Sequence, residues 1–154
     1  MRCLLIGVLV GLCILRCGSS GTCFHVCESS VAISTSYQAQ VFVDGGADPI
    51  FGATARMCLD TTQCSTGTIS GGVSSGGASL TGAFSGSATL SKGVLSASVD
   101  PGFGFSAHDG DMWSLHVVAA DGTVLVEGAK AASYSTSPPD CNGRRCVSAT
   151  IQLP

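Results

Sequence analysis

The residues able to do chemistry are few and scattered along the chain. Cys23-Phe24-His25-Val26-Cys27 sets two thiols around an imidazole, donors that suit zinc or a redox pair. A structural zinc site takes four ligands, and the sequence holds no second Cys/His cluster to complete one. Two disulfide-bonded cysteines flanking a bystander His is the plainer reading, and a metal or redox module using Cys23, His25 and Cys27 is an alternative. His108-Asp109-Gly110-Asp111 gathers an imidazole and two carboxylates, yet Asp and Gly are also what a solvated turn selects. Serines are plentiful, but none lies in a Gly-x-Ser-x-Gly elbow with apolar strand flanks, and Gly82-Ala83-Phe84-Ser85-Gly86 has the order wrong. Glycoside cleavage needs two facing carboxylates, whereas most of the ten acids fall in turn-like stretches. No catalytic residue, metal site or cofactor is expected, with a secreted hydrolase as the opposing class.

Charge narrows the partners. Seven Lys and Arg against ten Asp and Glu give a formal charge of −3, and Arg144-Arg145 is the only adjacent basic pair. Nucleic acid calls for a clustered basic face, so that class is excluded.

The cysteines must be held by something, and the N-terminus says in which compartment. After Met1-Arg2, the run Cys3–Leu15 is wholly apolar, of the length of a signal-peptide core and short of the roughly 20 residues of a membrane span. Residues 1–17 read as an export signal, 18–30 as a small polar linker and 31–154 as the domain. The stretch Ile14–Gly21, ILRCGSSG, resembles the cleavage region of bacterial lipoproteins, with Cys17 as the residue that receives lipid. Arg16 stands where that signal takes Gly, Ala or Ser, and cleavage near Ser20 or Gly21 is the competing route. Nine cysteines, less Cys3, Cys13 and Cys17, leave six, an even set that can close in an oxidising compartment. Cys58 with Cys64 and Cys141 with Cys146 each bracket a turn, and Cys23 with Cys27 makes the third pair.

Strand signals fill the rest. Asp109–Gly128 reads as a hairpin closed on Asp121-Gly122, a two-residue turn with positive φ at both positions. That register pairs Ala120 with Thr123, Ala119 with Val124, Val118 with Leu125 and Val117 with Val126. It sets Trp113, Leu115, Val117, Ala119, Val124 and Val126 on one apolar face, and places His116 opposite Glu127 on the other. Tyr37–Val43, Ala53–Leu59, Val94–Val99 and Val147–Leu153 alternate with period two. A turn at Asp60-Thr61-Thr62 sets Cys58 directly across from Cys64. Thr66–Ser91 is rich in Gly and Ser and reads as one short strand at Leu80–Phe84, with a surface loop across Gly71–Gly77.

About eight short strands at roughly ten-residue intervals, with no helical period, indicate an all-β fold. An antiparallel immunoglobulin-like or transthyretin-like β-sandwich is the first expectation and a small β-barrel the alternative. The export signal, the Cys58–Cys64 hairpin, the GDMW…ADGTVL hairpin and the SPPDCNGRRC loop together resemble the small secreted lipoproteins of myxobacteria. That resemblance implies an envelope location, outer-membrane anchored through Cys17 or else periplasmic or secreted, and a disulfide-bonded β-sandwich. It implies no activity, so a non-enzymatic binding or structural role is expected. Mass spectrometry of the exported protein is expected to show a mature N-terminus at lipid-modified Cys17, whereas an unmodified start near Gly21 would show that Arg16 blocks lipidation.

Overall fold

Hydroxyl side chains alternating with small apolar ones generate strands with one wet and one dry face. In the computed structural model, which describes residues 28–38, 48–72, 75–102, 105–139 and 143–154, this pattern gives eleven strands. They are β1 (Ser30–Ser36), β2 (Thr54–Leu59), β3 (Gln63–Thr68), β4 (Ser70–Gly72), β5 (Ser75–Gly82), β6 (Ser85–Ser91), β7 (Val94–Asp100), β8 (Met112–Val118), β9 (Val124–Ala131), β10 (Ser135–Thr136) and β11 (Val147–Gln152). Ten of them run in one curled sheet, a half-barrel, in the order β10-β11-β1-β7-β6-β5-β3-β2-β8-β9, and β4 pairs with β5 off that path. No helix occurs among the described residues.

Strand β5 makes the corner. Ser75–Leu80 pair with β6, while Thr81 and Gly82 pair with β3. Buried Ser65 of β3 braces this corner, donating to the Phe84 carbonyl (2.7 Å) and accepting from the Phe84 N–H (2.9 Å). A buried hydroxyl is tolerable because both its hydrogen-bonding capacities are used. The Gly71–Gly77 stretch, expected as a loop, instead supplies β4 and the start of β5, with Gly71 opposite Gly76. Phe84 lies in the β5–β6 turn rather than in a strand.

Not every pairing is antiparallel. β1 lies antiparallel to β7 but parallel to β11, Ile33 facing Ile151. The strand expected at Tyr37–Val43 is displaced toward the N-terminus: β1 ends at Ser36, Tyr37 donates its N–H to the Gly93 carbonyl (2.8 Å), and 39–43 lie outside the described residues. Lys92-Gly93, both at positive φ, close β6 onto β7 in a two-residue turn.

Inward side chains form one core containing Val31, Ile33, Ala55, Met57, Leu80, Leu95, Val99, Trp113, Leu115, Val117 and Ile151. Both arms of the curled sheet contribute to it. At the seam where the sheet's two ends approach, Leu153 packs on Gly128 and Lys130 Nζ donates to the Gln152 carbonyl (3.2 Å).

The β8–β9 hairpin corrects the expected tip. Ala119 accepts from the Gly122 N–H and donates to the Thr123 carbonyl, so the loop is Ala120-Asp121-Gly122 and only Gly122 takes positive φ. The Asp121 carboxylate accepts the Thr123 N–H (2.9 Å), which holds its pKa below the usual range. Val118 therefore faces Val124, and a bulge between Val117 and Val118 restores Val117 to Val126 and His116 to Glu127. Val124 consequently lies half exposed instead of on the Trp113 face. One residue gained at the turn is absorbed by one residue in the bulge.

At Gly86 an added Cβ would lie 2.1 Å from the Ser98 carbonyl oxygen and 2.8 Å from Val99 Cα. Since the obstruction is backbone, Gly86→Ala is expected to lower stability by about 1–3 kcal/mol in a denaturant titration, and an unchanged midpoint would contradict the packing of β6 on β7.

Candidate functional site

Of the residues singled out in the sequence, the structure brings some together. Cys58 and Cys64 are directly paired and disulfide-bonded, with Cα atoms 4.1 Å apart. This is the close spacing of a non-hydrogen-bonded strand pair. The three-residue link is a turn in which Asp60 and Thr61 both take positive φ and the Thr62 N–H reaches the Leu59 carbonyl. Thr61 is β-branched, so this conformation is strained. Arg56, two residues before Cys58 on the same face, donates from Nη2 to Cys64 Sγ at 3.1 Å. The Cys58 side is buried, whereas Cys64 is half-buried. Across the outer face of this arm a polar row runs Thr66, Arg56, His116, Glu127.

Cys146 is disulfide-bonded, and its backbone continues the β10–β11 ladder through Ser137. Cys17, Cys23, His25, Cys27 and Cys141 lie outside the described residues.

The His108–Asp111 turn is built by hydrogen bonds of its own. One Asp111 carboxylate oxygen accepts the His108 N–H (3.0 Å) and the Tyr134 hydroxyl (3.0 Å), while Asp109 accepts the Tyr134 N–H (3.1 Å). Tyr134 in turn accepts the indole N–H of fully buried Trp113 at 2.6 Å. Phe105 packs edge-on against both Trp113 and Tyr134, and Phe84 lies tilted against Trp113. The two carboxylates of this turn thus anchor backbone and an aromatic cluster. No group of three or more His, Cys, Asp or Glu among the described residues is arranged to hold a metal ion.

The other arm carries a feature that apolar periodicity does not reveal. Registers across β5, β6, β7, β1 and β11 align the outward residues in rows: Ser79, Ser87, Ser98, Ala32 and Thr150 in one, Gly77, Thr89, Ser96, Ser34 and Gln152 in the next. Hydroxyls therefore repeat in two directions over a surface without a charged residue in either row. At the end of this face a groove of about 320 Å3 is lined by Glu28, Ser29, Ser30, Ser85, Ser98 and Asp100, with Gly86 and Val99 beneath. Asp100 Oδ1 caps the Gly102 N–H at 2.8 Å, which fixes the carboxylate at the groove's rim. Ser85, within the misordered Gly82–Gly86 elbow sequence, is a wall of this groove at the start of β6.

No family model, curated protein or solved structure matches the chain.

Two tyrosines are present, and both titrate late. Burial pushes the Tyr134 phenol up to about 12; the indole hydrogen bond opposes that rise and the Asp111 carboxylate adds to it. Tyr37 is raised too, by burial first and then by its 2.6 Å hydrogen bond to Asp48. An unfolded phenol ionises near pH ~10, so the stability these groups contribute is intact below that pH and is lost as pH rises through the folded values. An ultraviolet titration of the folded protein is expected to show no phenolate at pH ~10, with Tyr134→Phe deleting the step near 12. A two-tyrosine step at the ordinary value would contradict both contacts.

Proposed function

We propose that this chain is an exported, lipid-anchored domain of the cell envelope with a non-enzymatic binding role. The two arms of the curled sheet act as the layers of an immunoglobulin-like or transthyretin-like sandwich, presenting the hydroxyl rows outward. The supporting observation is the continuity of those rows with the groove between Glu28 and Asp100. Serine hydroxyls both donate and accept, and carboxylates accept strongly, a set complementary to a neutral polyhydroxylated ligand such as an oligosaccharide. An anionic ligand would meet two carboxylates with no cation among the groove's lining residues. The apolar run Cys3–Leu15 and Cys17 support delivery to the membrane surface, with residues 18–27 as tether, since Glu28, Ser29 and Ser30 belong to the groove and β1.

Cellohexaose and chitohexaose serve as probes, titrated into isotopically labelled protein and followed by amide NMR. At least one is expected to shift Ser29, Ser85 and Ser98 together. Asp100→Asn keeps an oxygen for the Gly102 N–H while removing the charge. It is expected to weaken binding about tenfold or more, since a hydrogen bond to a charged group contributes roughly 1.5–3 kcal/mol. Neither sugar moving those amides at millimolar concentration would overturn the assignment of the groove.

A further inference from the structure

The Cys58–Cys64 bridge has surroundings that a purely structural cross-link does not require. Its sequence separation is only six, and loop closure stabilises least for the shortest loops. The strands it joins are already held: β2 pairs with β8 on its far side and β3 pairs with β5. Opening the bridge therefore leaves both strands in the sheet. Arg56 Nη2 lies 3.1 Å from Cys64 Sγ, and an adjacent guanidinium stabilises a sulfur anion and attracts an incoming one. Other charged or titratable groups nearby are His116 and Glu127, farther along the Arg56 row, and Asp60 in the turn. Asp60 is occupied, its Oδ1 accepting the Met112 N–H at 3.1 Å.

We propose that Cys58–Cys64 is a thiol–disulfide exchange site whose substrates are thiols, with Cys64 the sulfur that exchanges and Arg56 the cation that steadies it. A thiolate attacks Cys64 Sγ, the sulfur of the less buried cysteine. A new S–S bond forms as the Cys58–Cys64 bond breaks, and the electron pair leaves on Cys58 Sγ, which takes up a proton from solvent. A second thiolate then attacks the sulfur of the first, releasing its disulfide and leaving Cys64 as a thiolate beside Arg56. Two thiols are oxidised and one protein disulfide is reduced to a dithiol. The reverse sequence begins with the Cys64 thiolate attacking an external disulfide.

Oxidised full-length protein is treated with glutathione at neutral pH, quenched in acid, alkylated and peptide-mapped. Glutathione is expected on the Cys64 peptide before dithiol accumulates, while circular dichroism retains its sheet signal. A bridge that stays closed under a large excess of glutathione, or glutathione found on Cys58 instead, would overturn the proposal. Arg56→Met is expected to slow the first step about 3–10-fold, and Arg56→Lys to retain most of it. An unchanged rate in a folded Arg56→Met variant would remove the role given to Arg56. Should that variant fail to fold, the position of glutathione on the wild-type chain still decides between Cys64 and an inert bridge.

Discussion

The indole N–H of Trp113 is the constraint around which the core is arranged. Trp113 is the only tryptophan and is fully buried, so it supplies much apolar area but also a donor that needs a partner. Tyr134 provides that partner and passes the demand to Asp111. The segment after β9 must therefore fold back over the entrance to β8, which Ala132 reinforces by donating its N–H to the Asp111 carbonyl and accepting the Gly110 N–H. Phe84 and Phe105 fill the remaining flanks of the ring. Removal of the Tyr134 hydroxyl would leave a buried donor unpaired, a loss of about 1–3 kcal/mol.

Elsewhere the protein is made of small side chains, and this has two effects. Inside, residues such as Ala55, Ala88, Ala97 and Ala149 bury little area each, so cohesion comes from many modest contacts and well-registered ladders. Outside, Ser and Thr leave the sheet surface polar without charge. The division between the arms is chemical as well as topological. One arm carries the hydroxyl rows, and the other carries Arg56, His116, Glu127 and the Cys58–Cys64 bridge.

Where apolar and polar residues alternate strongly, the sequence was readable. Ala55, Met57 and Leu59 declare the dry face of β2, and the spacing from Cys58 to Cys64 declares the turn. His116 opposite Glu127 follows from counting outward along β8 and β9, although the count contained two compensating slips at Gly122 and the bulge. Thr66–Ser91 was opaque because the dry faces of β5 and β6 are Gly, Ala and Leu and their wet faces mostly Ser and Thr. Strand preference there comes from what the neighbours pack against, not from intrinsic propensity. The Lys92-Gly93 turn does carry a local signal, a glycine between two alternating runs. The groove was hidden for another reason: Glu28, Ser85 and Asp100 are distant in sequence and meet only through the registers of β1, β6 and β7.

The interior placement of β1 sets an order of assembly. Its two neighbours, β7 and β11, are both far along the chain, so every ladder hydrogen bond it makes waits on distant residues. Hairpins such as β2–β3, β6–β7 and β8–β9 can form from local encounters, but pairings of this range are slow. In a chain that grows from its N-terminus, Ser30–Ser36 stays unpaired until β7 has emerged, and half-paired until Val147–Gln152 follows. The topology thereby makes completion of the sheet wait on the last strand, whatever hairpins have formed before it.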